Sequence, residues 1–348
     1  MGPPMSRHAR AVAPRSVIEA LVALVALVTA AGCGGGSGSG PIPFDALGAK
    51  VVPAACKQLV ACGDLPDEAT CEAWLRIQTS EFETLKTDIA SGKVIYDPVA
   101  AGKCIGLLDM ITSCTRTVAR PLAEQSTAAC NAVFTGTVAP GAACFFSAEC
   151  ANGTCAKTGC SAACCAGACV ATPAPIPVGG DCSAPLPNQS CASGSICSID
   201  AVTGVGTCVV PPSAVGAACT NDVGCDPTLY CNADPVTGSG TCQRGAATGA
   251  TCNPALGSLS CDDLRDTCDI TTGRCTPPTP VGMACDPTSP SGCVGYASCD
   301  SATSTCLAKL RLGQACSTTT GLSCLAGLTC DPTTLTCTST DPPGPSCS

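Results

Sequence analysis

One short phrase is written five times between residues 178 and 337: Gly179-Gly-Asp-Cys182, Gly216-Ala-Ala-Cys219, Gly249-Ala-Thr-Cys252, Gly282-Met-Ala-Cys285 and Gly313-Gln-Ala-Cys316. Each copy opens a unit with three further cysteines. They are Cys191, Cys197 and Cys208; Cys225, Cys231 and Cys242; Cys261, Cys268 and Cys275; Cys293, Cys299 and Cys306; and Cys324, Cys330 and Cys337. Units of about 30 residues cannot bury enough apolar surface to hold a core alone, so covalent cross-links must do much of the holding. That bounds the repeats at residues 178–208, 215–242, 248–275, 281–306 and 312–337, with a tail at 338–348.

Composition agrees. The 348 residues include 35 cysteines, only 3% aromatics and 12% charged side chains, the profile of a secreted disulfide scaffold. Two absences exclude chemistry. The only histidine is His8, in a segment read below as removed, so no imidazole remains for a Ser-His-Asp or Cys-His arrangement or for metal ligation. No Cys-x-x-Cys pair occurs, which removes zinc ribbons and dithiol redox sites.

Arg7, Arg10 and Arg15 precede an apolar run over residues 20–31, the pattern of a signal peptide over 1–32. The run ends in Thr29-Ala30-Ala31-Gly32-Cys33, followed by a Gly/Ser stretch to Gly40. Ala-Gly-Cys in this place resembles the lipobox of bacterial lipoproteins, although Ala30 stands where that family prefers leucine. The resemblance implies that Cys33 is acylated and becomes the first residue, with 33–40 a flexible tether. Gly34 after the cysteine implies the outer membrane, facing the periplasm or the cell exterior; ordinary secretion is the alternative. Losing residues 1–32 leaves 14 basic against 25 acidic side chains, a net charge of −11. That argues against nucleic acid as a partner and leaves the lipid as the membrane attachment.

Residues 41–137 read as an all-α domain stapled by Cys56, Cys62, Cys71, Cys104, Cys114 and Cys130. A short helix is expected over 54–62, between Pro53 and Gly63. Cys71, Trp74, Leu75, Phe82, Leu85 and Ile89 keep a 3.6-residue rhythm that predicts one helix over 67–90, stopped by Ser91-Gly92. Asp97-Pro98 predicts an N-cap and first-turn proline for the next. Pro121 predicts an interruption, with a last helix over 122–134 ended by Gly136. Glu68, Glu72, Glu81, Glu83 and Asp88 read as a solvated helix face rather than paired catalytic carboxylates.

The phrase Pro140-Gly141-Ala-Ala-Cys144 begins a denser module over 138–170, with Cys144, Cys150, Cys155, Cys160, Cys164, Cys165 and Cys169. Seven is odd, and Cys347 is the other unassigned candidate. With Cys33 lipidated, the remaining 34 cysteines can all pair. Within each repeat the second-to-third cysteine interval is nearly constant, and length varies on either side of it. Asp234-Pro-Val-Thr-Gly238, Asp269-Ile-Thr-Thr-Gly273 and Asp331-Pro-Thr-Thr334 predict a tight turn and a β-hairpin closing each unit. The glycine three residues before each first cysteine predicts a backbone angle closed to side chains. The proline-rich joins at 210–213 and 276–280 read as semi-rigid spacers. Four cysteines allow three pairings, and spacing does not choose among them.

From the Gly-x-x-Cys starts, the constant middle interval and the Cys-Asp or Cys-Asn before the final turn, residues 140–337 resemble EGF-like and Dickkopf N-terminal cysteine-rich modules. Such modules occur in multi-copy bacterial surface proteins. Calcium-binding EGF signatures are absent from the unit starts, so no cofactor or metal is expected. The expected fold is small and disulfide-rich: a helical domain followed by a tandem array of β-hairpin modules.

The expected function is a non-enzymatic cell-surface lipoprotein whose array is a stalk or a binding surface for an extracellular protein or glycan. A secreted protease inhibitor is the alternative, with Asp262-Asp-Leu-Arg265 as its candidate reactive loop. An enzyme in the helical domain would lack a convergent polar motif, and a thiol buffer would need free cysteines.

Overall fold

Proline does not stop the first helix. The computed structural model describes residues 40–78, 81–157, 165–185, 189–200, 203–220, 224–287, 292–317 and 323–339. The expected signal peptide, Cys33, Cys160, Cys164, Cys347 and the tail from residue 340 lie outside the described residues, as do the side chains of Glu81, Phe82 and Glu83. Helix α1 (Phe44–Ala61) runs through Pro53, which had predicted a start at residue 54. A mid-helix proline costs about 3 kcal/mol in lost hydrogen bonding and crowding. The face carrying Leu47, Val51, Val52, Ala55, Cys56 and Leu59 is buried, and that burial outweighs the local cost.

The single helix expected over 67–90 is two, α2 (Glu68–Gln78) and α3 (Glu81–Ala90). The apolar rhythm marks the buried face of both but carries no sign of the break. Gly92, at φ +77°, ends α3, where its N–H donates to Ile89 O. Strand β1 (Val94–Tyr96) leads to α4 (Pro98–Asp109), capped as expected by Asp97, whose carboxylate accepts from Val99 N and Ala100 N at 2.8 and 3.0 Å.

Helix α5 (Arg116–Asn131) crosses Pro121, again against expectation, because Ala119, Ala129 and Cys130 are buried on one side. Residues 134–136, expected at the helix end, instead form β2 (Phe134–Gly136), antiparallel to β1. Phe44, Tyr96 and Phe134 pack ring to ring, with centroids 5.3 to 6.2 Å apart. The six cysteines close within the domain as Cys56–Cys71, Cys62–Cys114 and Cys104–Cys130.

The array follows one plan. In every repeat the first cysteine bonds the third and the second bonds the fourth: Cys182–Cys197 and Cys191–Cys208, Cys219–Cys231 and Cys225–Cys242, Cys252–Cys268 and Cys261–Cys275, Cys285–Cys299 and Cys293–Cys306, Cys316–Cys330 and Cys324–Cys337. The dense module keeps it with Cys144–Cys155 and Cys150–Cys169, so it is a copy of the same unit with an insertion holding Cys160, Cys164 and Cys165.

The third and fourth cysteines face each other across an antiparallel hairpin. The pairs are Cys155 and Cys169 on β4 (Gly153–Ala156) and β5 (Gly167–Ala171), and Cys197 and Cys208 on β6 (Ile196–Ile199) and β7 (Gly206–Val209). They continue with Cys231 and Cys242 on β9 (Tyr230–Ala233) and β10 (Ser239–Gln243), and Cys268 and Cys275 on β11 (Thr267–Asp269) and β12 (Arg274–Thr276). The last are Cys299 and Cys306 on β13 (Ala297–Asp300) and β14 (Thr305–Ala308), and Cys330 and Cys337 on β15 (Leu328–Cys330) and β16 (Cys337–Ser339). Short strands β3 (Ala143–Cys144) and β8 (Ala218–Thr220) add a third member in two units.

The hairpins turn as expected. Asp234, Asp269 and Asp331 each accept two backbone N–H bonds inside the turn. The glycines before the first cysteines sit at φ +75 to +85°. In each, the residue after the glycine donates back to the carbonyl three positions earlier, a turn that needs positive φ at its third position.

The joins are not spacers. Thr279 N donates to Gly292 O, Val294 N to Thr279 O, and Asp226 N to Pro212 O. Parallel bridges also tie Val138, Ile176, Ala246, Thr279 and Leu310 to the second cysteine of their units. The backbone hydrogen bonds of these segments are spent inside the modules, so each unit begins before its glycine.

Candidate functional site

The 20 repeat cysteines all stand in bridges, so what they offer chemically is rigidity. Their sulfurs do gather in threes, such as Cys182, Cys191 and Cys208, within 4.8 Å of one another. Two bridges stacked on one hairpin produce that grouping, and a disulfide sulfur has no thiolate to give a metal.

The array turns back on the helices. The apolar core built on α1, α2, α4 and α5 also takes Ala148 from the dense module and Leu325, Leu328 and Cys337 from repeat 5. Leu264 of repeat 3 and Tyr296 of repeat 4 pack against its edge. In repeats 3 to 5 the segment between second and third cysteines makes the contact. Arg116 N donates to Asp262 O at 2.6 Å and Leu264 N to Cys114 O at 2.9 Å. A Cβ on Gly295 would lie 2.8 Å from Gly63 O, and one on Gly327 would lie 2.8 Å from the Trp74 ring.

Charges line the contacts. Glu149 is wholly buried, takes Lys93 Nζ at 2.8 Å and accepts from Phe145 N and Phe146 N. Burial opposes its ionisation, yet the Lys93 and backbone hydrogen bonds hold its carboxyl below the usual range. The hydrogen bond to Glu149 in turn raises Lys93. Asp88 lies beside this pair, and burial followed by the Glu149 charge pushes it up to about 6. Asp64 is pushed up to about 6 by burial, opposed by Lys309 in the join after repeat 4, whose own ammonium is lowered by burial. Arg311 pairs Asp67 at 2.9 Å across the last contact.

The segment Asp262–Arg265, expected as an inhibitory loop, is one of these docking elements. Arg265 is held by both oxygens of Asp263 and reaches the carbonyl of Ala61 at the end of α1. Sequence reading missed this docking surface. The middle intervals of repeats 3 to 5 carry Leu264, Tyr296, Leu325 and Leu328, but repeat 2 carries Leu229 and Tyr230 in the same interval, so side-chain size does not mark which modules dock.

Outward, the hairpin turns expose apolar tips: Val236 is 91% and Ile270 83% exposed, and Val178, Val215 and Val281 stand out beside the turn glycines. Among the described residues no helix is long and apolar enough to cross a membrane. Disulfide bonding on this scale suggests an extracellular or secreted protein. Comparison with protein families, with curated proteins and with solved structures found no match.

Proposed function

We propose that this chain is a non-enzymatic surface lipoprotein, anchored through Cys33, whose modules form a rigid binding surface for an extracellular protein or glycan. The observation that carries the reading is the placement of the modules. Four of them are docked around a common helical core, and the hairpin turns of repeats 2 and 3 hold Val236 and Ile270 out in solvent. A surface held this way meets a partner without ordering cost, the main expense of loop-based recognition. The docking favours a binding surface over a stalk, which would need modules that contact only their neighbours. It also ties down the loop that an inhibitor would present.

Two measurements test the reading. Mass spectrometry of the Cys33 peptide should find acyl chains, and Cys33→Ala should move the protein from the membrane to the soluble fraction. Val236→Asp with Ile270→Asp should keep the fold, since both side chains are exposed, and should lower binding to immobilised glycans and extracellular proteins at least tenfold. Unmodified Cys33 sinks the anchor, and binding untouched by the double variant sinks the surface.

A further inference from the structure

Helix α5 opens with two arginines one turn apart, Arg116 and Arg120, which share a helix face. Arg116 is only 6% exposed, and its Nη2 donates to Leu259 O at 3.1 Å. The Nε atoms of both arginines are buried and have no hydrogen-bond partner among the described residues. Arg120 is half-buried, so the pair opens to solvent on its side.

Asp262 of repeat 3, its Oδ1 buried and also without a hydrogen bond among the described residues, lies within electrostatic reach of Arg116, as does the Tyr230 hydroxyl of repeat 2. The group therefore holds two positive charges against one negative. Burial, then the neighbouring Arg120 charge, lowers the basicity of Arg116.

Five other cations are ion-paired, while Arg274 and Lys309 donate to backbone carbonyls. Lys57 pairs Asp109, Lys86 pairs Asp45, Lys93 pairs Glu149, Arg265 pairs Asp263 and Arg311 pairs Asp67. In a protein with 26 acidic against 17 basic side chains, two guanidiniums sharing one carboxylate are not forced by any shortage. Desolvating a guanidinium with an orphaned N–H is costly unless an anion completes the site. The planar forked donors of arginine match oxyanions better than any other group.

We propose that Arg116 and Arg120 form a binding site for a phosphate or sulfate group, seated where α5 meets repeats 2 and 3. Arg120 supplies its free fork from the solvent side, Arg116 supplies Nε from within, and Asp262 balances the inner charge. The anion ties the helical domain to two modules at once. The site is separate from the hairpin turns and stands or falls independently of the surface-anchor reading.

The test uses the intact, disulfide-bonded protein with inorganic phosphate, inorganic sulfate and a sulfated oligosaccharide, each against sodium chloride of equal ionic strength. The expected result is a saturable rise in thermal midpoint with at least one oxyanion, together with shifts of the two arginine Nε–H resonances. Arg120→Gln removes no side-chain hydrogen bond among the described residues, so it should stay folded and bind the ion at least tenfold more weakly. Oligosaccharide binding at least tenfold tighter than sulfate would place the anion on a glycan, and equal binding would make the free ion the ligand. A response that follows ionic strength alone, or one that survives Arg120→Gln unchanged, overturns the site.

Discussion

Two glycines in repeat 5 have similar backbone angles and different surroundings. Gly313 sits at φ +75° with nothing within 4 Å of its missing Cβ, whereas Gly327 sits at φ +78° against Trp74. Alanine at Gly313 meets only the backbone cost of the left-handed region, about 1 kcal/mol. Alanine at Gly327 adds overpacking against an indole that is itself buried, for a total of about 3 kcal/mol. Denaturant unfolding of the two variants should separate them by about that difference, and equal losses would mean that repeat 5 does not rest on Trp74. The Gly313 angle was legible, because a glycine recurring at a fixed distance from a cysteine marks a turn. The role of Gly327 was not, since the partner lies some 250 residues away in sequence and no local pattern encodes it.

The turns and two buried carboxylates at the docking contacts respond to pH in opposite directions. Asp234, Asp269 and Asp331 are exposed, and backbone N–H bonds hold their carboxyls below the ordinary range. What they add to stability is present above the unfolded value near 4 and fades as pH falls through the lower folded values. Asp88 and Asp64 are raised to about 6. Their folded forms prefer the proton, so their contribution is complete below about 4 and is lost as pH rises through about 6. The thermal midpoint should therefore be highest between about pH 4 and 6 and decline toward pH 8. Asp88→Asn should flatten that decline and exceed the native protein in midpoint at pH 8. A native profile that stays level from pH 5 to 8 would contradict the buried state of both carboxylates.

At this same scale, capping and apolar rhythm located the helices in the sequence, but Pro53 and Pro121 misled because local cost was weighed without the burial that offsets it. The hairpins were legible from Asp and Gly turn chemistry. Their pairing was not, because facing cysteines on two strands could have bonded to each other as readily as to the loops.

For the molecule as a whole, 31 cysteines among the described residues are bonded, an odd number that requires at least one more partner. Thiol titration of the native protein should find at most three. Thirty or more would restore the thiol-buffer reading. Reduction should not unfold the array alone, because repeats 3 to 5 complete the helical core. The single tryptophan, Trp74, lies in that core, so its emission should move to longer wavelength as the bridges of repeat 5 open. Each bridge spans 13 or 14 residues there and is worth about 3 kcal/mol in the chain-entropy model. Unchanged emission in a fully reduced protein would show that the core stands without the array. The repeat, its compartment and the helical start could all be read from one dimension. The return of the array onto the helices could not, because it depends on which modules present bulky side chains to a distant face.

The overlapping bridges also decide how the chain answers tension. In repeat 5 a pull entering at Cys316 crosses its bridge to Cys330 and leaves through the seven residues to Cys337. Fully drawn out, that route is about 25 Å long, against about 70 Å for the uncrossed segment. Most of the contour length is thus locked away from any force that cannot break a covalent bond. What yields under load is the seating of the modules on the helical core, a reversible step, followed by an almost inextensible chain.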